Sequence, residues 1–193
     1  MSATLLSWLR CGCMLLALSL PTTVFAEEAT ANPRVLLKTD LGEIIIELYP
    51  NKAPRTVANF LSYVNDRFYD GLVFHRVIPD FVVQTGGYSF DFVEKPTREP
   101  VANESDNGLK NRYGTVAMAR HSDPDSATSQ FFINMRHNPR LDAKKNKPGY
   151  TVFGKVVQGM DVAKLITKEP RGMYRQFAEA PNVPVRVLIA KQL

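Results

Sequence analysis

The chain has 193 residues, 45% hydrophobic and 22% charged, with a formal net charge of +5 and two cysteines, Cys11 and Cys13. That length allows one domain with a substantial core. Positive charge is spread along the chain apart from a solvated Lys144-Lys145-Asn146-Lys147 loop, which argues against the basic, aromatic-interleaved face of a nucleic-acid binder.

Arg10, an apolar run from Cys11 to Leu20, Pro21 and a small-residue end at Val24-Phe25-Ala26 have the three parts of a secretory signal peptide. The run is shorter than the roughly 20 residues of a membrane span. A cleavable signal is therefore predicted over 1–26, with an uncleaved anchor as the alternative. Cleavage after Ala26 removes Arg10 and both cysteines, leaving a charge of +4 and a mature chain from Glu27. An exported protein without disulfides must stand on its own core. The loss also excludes thiolate catalysis and Cys-ligated zinc. The periplasm is the expected home, with secretion as the alternative, and no membrane insertion follows cleavage.

Residues 27–34 read as a flexible lead-in to a single domain over 35–193. Val35-Leu36-Leu37, a turn at Asp40-Leu41-Gly42, and alternation through Ile44, Ile46 and Leu48 predict a half-buried hairpin. Pro54 suits a first helical turn, and Val57, Phe60, Leu61 and Val64 follow at helical spacing. Short β-runs are predicted at 72–78, 81–85, 114–119, 129–135, 151–157 and 183–190, interrupted by a long loop over 88–113. A second helix spans Met160 to Lys168, with Val162, Leu165 and Ile166 on one face. Antiparallel strands with only two helices predict a mainly β fold, a closed barrel capped at its ends, because closure removes exposed edges. A two-sheet sandwich is the alternative.

The stretch from Phe74 to Gly87 holds one arginine, Arg76, among apolar and aromatic residues on two β-runs joined by a Pro79-Asp80 turn. An arginine is always charged and offers fixed donors, so beside an apolar pocket it can hold an amide without acid or base chemistry. Alternation puts Arg76 with Phe74 and Ile78 and turns His75 the other way. It pairs Val82 with Gln84, and Gln130 with Phe132, against Phe131. These residues suit a groove with an apolar floor and a polar rim; ordinary barrel packing with a snorkelling arginine explains the same pattern.

Other chemistries find no support. His75, His121 and His137 lack metal-ligand spacing, and there is no nucleophile elbow, phosphate loop or dinucleotide fingerprint. Asp123-Pro124-Asp125-Ser126 reads as a turn rather than a calcium loop. Asn103-Glu104-Ser105 matches a glycosylation sequon of low specificity.

Three blocks then occur in order. Phe74-His75-Arg76-Val77-Ile78-Pro79 with Phe81 and Gln84-Thr85-Gly86-Gly87 resembles the core signature of the cyclophilin-type peptidyl-prolyl cis–trans isomerases. Gly114 to Arg120 with Ser126 to Asn134 resembles the second block, and Tyr150 to Val156 the third. The spacing holds from about Val35 to Lys191, and Tyr150 is similar to the bacterial exported branch. The resemblance implies a closed eight-stranded antiparallel cyclophilin-like barrel with two capping helices and a proline pocket on its outer face. It implies Arg76 as the catalytic arginine and Gln84 as the residue orienting it. Phe81, Phe132 and Leu141 would wall the proline ring, with Val82 and Met118 as apolar neighbours. Ala119, Arg120 and Gln130 would touch the peptide. Tyr150 stands where the family often has histidine and supplies a flat wall. Arg140 replaces an aromatic that helps bind cyclosporin in sensitive members.

The implied activity is isomerisation of X–Pro bonds, assisting the folding of exported proteins. Substrates would be unfolded or partly folded proline-containing chains, the enzyme a monomer, and no metal or other cofactor is needed. A non-enzymatic peptide-holding module using the same groove is the alternative. A ligand-binding barrel is a third reading, and bulky inward residues argue against it.

Overall fold

The computed structural model describes residues 31–172 and 174–193. The signal peptide expected over 1–26, its cleavage after Ala26, and positions 27–30 of the lead-in lie outside the described residues.

Strands β1 (Arg34–Thr39) and β2 (Gly42–Leu48) form the expected hairpin in continuous register from Arg34–Glu47 to Thr39–Gly42. Ile44, Ile46 and Leu48 are fully buried, as are Val35 and Leu37, so period-two alternation sets the core face. Helix α1 (Pro54–Asn65) starts with its proline and buries Val57, Phe60 and Val64. Ala53 gives it no side-chain cap. The Glu104 carboxylate accepts instead from the main-chain N–H of Arg55 (3.1 Å) and Thr56 (2.9 Å) and from the Thr56 hydroxyl (2.7 Å). A carboxylate at a helix N-terminus satisfies free donors and complements the dipole. It also ties the 88–113 loop to the helix.

The remaining strands are β3 (Arg76–Ile78), β4 (Val82–Thr85), β5 (Thr115–Met118), β6 (Phe131–Asn134), β7 (Val152–Gln158) and β8 (Val187–Gln192). Helix α2 (Met160–Lys168) follows β7 after Gly159. At its φ of +91°, a Cβ on Gly159 would lie 2.1 Å from the Glu43 carbonyl oxygen, so only glycine fits this corner. A short 3₁₀ turn, Arg175–Phe177, lies between α2 and β8. The interior is packed around Phe60, whose ring lies 5.4 Å from Tyr69, 5.2 Å from Phe131 and 5.1 Å from Phe153. Bulky side chains thus fill the interior around this ring.

The eight strands form one antiparallel sheet in the order β3-β4-β6-β5-β7-β2-β1-β8. The expected closed barrel is corrected here: β3 and β8 are the two edges, and the sheet is an open half-barrel. β3 is only three residues long, and residues 72–75, expected as strand, precede it without joining the ladder. The start of β8 and the residues before it meet that earlier segment, through a Val73–Arg186 bridge and bonds from Val187 N–H to the Leu72 carbonyl (2.8 Å) and from Phe74 N–H to the Val185 carbonyl (3.0 Å). Pro184 has no N–H with which to extend this seam. The free edge of β3 is covered by a loop, with Val77 N–H donating to the Glu179 carbonyl at 2.8 Å.

Candidate active site

Strand register assembles the site. Arg76 on β3 lies opposite Gln84 on β4, Gln84 opposite Phe132 on β6, Phe132 opposite Ala117 on β5, and Ala117 opposite Val152 on β7. One row across five strands therefore faces outward. The intervening residues Val77, Val83, Phe131, Ile133 and Val116 face the main core. Pairing Val82 with Gln84, and Gln130 with Phe132, against Phe131, matches this arrangement.

Val82, Ala117, Phe132 and Val152 form a second apolar cluster, edged by Phe81, Leu109, Ala119, Leu141 and Tyr150. A pocket of about 340 Å³ opens over it, lined by Arg76, Phe81, Val82, Gln84, Ala119, Arg120, Phe132, Leu141 and Tyr150. The Pro79-Asp80 turn, with Asp80 at φ +54°, presents Phe81 to this pocket. The buried Asn138 side chain holds the Phe81 carbonyl at 3.0 Å. Tyr150 N–H donates to the Leu141 carbonyl at 2.9 Å, which sets those two walls side by side. The Tyr150 ring meets Phe132 edge-on with centroids 5.7 Å apart.

The polar rim is a chain of amides. Arg76 Nη1 reaches Gln84 Oε1 at 3.5 Å, and Gln84 Nε2 donates to Gln130 Oε1 at 2.9 Å. Gln130 lines an adjoining recess of about 510 Å³ that shares Arg76, Gln84, Ala119 and Arg120 with the first pocket. Arg120 stacks over Tyr150, 4.7 Å from the ring centroid, and donates to the carbonyls of His121 (2.8 Å) and Pro148 (3.2 Å). It therefore braces the pocket wall at Tyr150, whereas the Arg76 guanidinium stands on the Phe81 side, 5.7 Å from that ring centroid.

The structure departs from the sequence reading at three residues. Met118 is buried in the main core and lines neither pocket, because the β5 alternation that turns Ala117 outward turns Met118 inward. Phe74 also belongs to the core rather than sharing the face of Arg76. His75, expected to point away, places Nε2 3.4 Å from Gln84 Nε2. Alternation fails there because 72–75 is not strand. Burial, with a smaller effect from the Arg76 cation, pushes the His75 imidazole down to about 4, so it is neutral near pH 7. Arg140 is exposed and lines neither pocket. Ala117, Val152 and Leu109 were missed as floor residues; alternation on β5 could have revealed the first.

No paired acid and base, activated nucleophile or metal-ligand cluster contributes to the apolar pocket. The arrangement can seat a compact apolar ring and present one fixed cationic donor at its edge.

Comparison with known proteins accords with this chemistry. Residues 34–192 match the family model "Cyclophilin type peptidyl-prolyl cis-trans isomerase/CLD". The chain is 49% identical over 172 residues to a peptidyl-prolyl cis-trans isomerase of Acinetobacter baylyi, covering 89% of this chain and 92% of that one. It is 49% identical over 174 residues to peptidyl-prolyl cis-trans isomerase A of Dickeya dadantii, covering 90% and 92%. A cyclophilin-type isomerase structure from Cryptosporidium parvum superposes with a TM-score of 0.70 at 23% identity, covering 84% of this chain and 98% of that one. That protein has also been solved in the presence of the dipeptide Ala-Pro.

Proposed function

We infer that this chain, which belongs to the cyclophilin-type peptidyl-prolyl cis–trans isomerase family and catalyses rotation about X–Pro bonds, does so in the Phe81–Phe132–Leu141–Tyr150 pocket with Arg76 as its catalytic residue. The observation that carries the assignment is one guanidinium at the rim of an apolar pocket, within 3.5 Å of an orienting amide.

Resonance gives a peptide bond a rotational barrier of about 18–20 kcal/mol. Uncatalysed X–Pro exchange consequently takes tens to hundreds of seconds. In the twisted transition state conjugation is lost, and the prolyl nitrogen becomes pyramidal with a localised lone pair. A donor aimed at that nitrogen binds the twisted form better than either planar form, as catalysis by differential binding requires. Phe81, Val82, Phe132, Leu141 and Tyr150 hold the ring while the preceding carbonyl swings. Gln84 steadies Arg76, and Ala119, Arg120 and Gln130 flank the path of the peptide. The apolar surroundings strengthen the interaction by lowering the local dielectric. No covalent intermediate is formed and no proton is transferred.

The signal-like composition of 1–26 supports the further reading that the substrates are exported polypeptides folding in the periplasm, since proline isomerisation is slow enough to become a rate-limiting folding step. The enzyme is read as a monomer. Arg76→Ala should lower kcat/KM on an X–Pro peptide by about 10²- to 10³-fold, the effect of losing one transition-state donor, while circular dichroism shows a folded domain. Full activity in that variant would overturn the assignment. A non-enzymatic holder would instead retain peptide affinity with no measurable isomerisation in the wild-type chain.

A further inference from the structure

We propose that Glu179 is the positioning residue for the Arg76 guanidinium, and that it sets the rate of isomerisation rather than the stability of the fold. The proposal rests on Arg76 as the donor. Glu179 Oε2 accepts from Arg76 Nε at 2.7 Å across 103 residues of sequence. This is the short contact of the arginine head, since Gln84 lies at 3.5 Å, the outer limit of a hydrogen bond. A guanidinium is planar, and fixing Nε constrains its plane and thus where the other N–H groups can point. Gln84, bonded to Nη1 at 3.5 Å, supplements that constraint without holding Nε.

The loop that carries Glu179 is itself held. Pro170 follows α2, Asn182 N–H donates to the Pro170 carbonyl at 2.7 Å, and Arg171 bridges Pro181. Phe177 packs against Tyr88 and Phe92 with centroids 4.9 and 5.0 Å away, while Ala180 is fully buried. Among the described residues, the Glu179 carboxylate accepts no bond from this framework; its main-chain carbonyl accepts from Val77 N–H. The carboxylate can therefore be altered with the loop left in place. Both partners are substantially exposed, Arg76 at 37% and Glu179 at 46% of the side chain, a setting in which an ion pair contributes little to stability. A close, oriented contact that does little for folding but points the catalytic donor is best explained by orientation.

The test measures kcat and KM separately on an X–Pro peptide for wild type, Glu179→Ala, Glu179→Gln and Arg76→Ala. The Arg76 Nε–Hε signal is followed by NMR in the first three. Glu179→Ala should lower kcat on the order of tenfold, short of the roughly hundredfold that misplacement by a full ångström costs, with KM and Tm little changed. Its Nε–Hε signal should lose its protection from exchange. Glu179→Gln keeps an acceptor oxygen and should recover most of both kcat and the protected signal. Wild-type kcat in Glu179→Ala, a rise in KM alone, or no recovery in Glu179→Gln would each overturn the proposal. If Arg76→Ala loses its activity while Glu179→Ala keeps it, the positioning role alone fails. A fully active Arg76→Ala overturns the site assignment with it.

Discussion

The buried imidazole beside the amide chain gives a quantitative test in solution. His75 is 5% exposed, its Nδ1 makes no hydrogen bond, and burial pushes its pKa from 6.5 to about 4. In the unfolded chain the group returns to about 6.5. The stability linked to neutral His75 is fully present above pH 6.5. As pH falls towards 4 the unfolded state takes up a proton that the folded state refuses, and stability declines at up to about 1.4 kcal/mol per pH unit. Between pH 7 and pH 5 this one group removes about 2 kcal/mol, or roughly 4–8 °C in Tm for a domain of this size. Urea unfolding of wild type and His75→Gln at the two pH values measures it. His121, His137 and the carboxylates are common to both proteins, so their titration cancels in the difference. The variant should lose about 2 kcal/mol less than wild type over that interval. Parallel pH dependence in the two proteins, within about 0.5 kcal/mol, would refute the burial argument.

Two substitutions separate the site from its frame. A Cβ on Gly87 would lie 2.6 Å from Gln130 Nε2 and 2.7 Å from its Cδ. Gly87→Ala should therefore dislodge Gln130 from Gln84 and lower kcat by roughly tenfold or less with the domain folded. An unchanged kcat would show that the second amide does not support the first. Glu104→Ala should cost about 1–3 kcal/mol by leaving the α1 donors uncapped. That would be read as a fall in Tm at unchanged kcat; a Tm equal to wild type would show that water caps the helix equally well.

Residues whose partners are set by ladder register were the readable ones. Val82 with Gln84, and Gln130 with Phe132, took their faces from simple alternation, and the hairpin at Gly42 and both helices fell where turn and helix signals placed them. Alternation misled at His75, because it was carried back across residues 72–75, which form no strand and make only an isolated bridge at Val73. Met118 entered the expected site through the resemblance, against the β5 period that puts it in the core. Closure was expected because it removes edges; the actual edge is covered by a loop bond to Val77. Glu179 and Glu104 act over 103 and 48 residues through single side chains in irregular segments, and no local period encodes such a meeting.

The row from Arg76 to Val152 lies one residue out of phase with the row that fills the interior. Deleting one residue within β4 would exchange the places of Val83 and Gln84, sending an amide inward and a valine to the rim. Insertions and deletions in these strands should therefore abolish the protein itself rather than yield a folded, inactive form. Substitutions in the outward row leave the interior row in register, although Phe132, Ala117 and Val152 are themselves buried in the second cluster. Substrate preference can drift along that row, by evolution or by design, while the packing behind it stays unchanged.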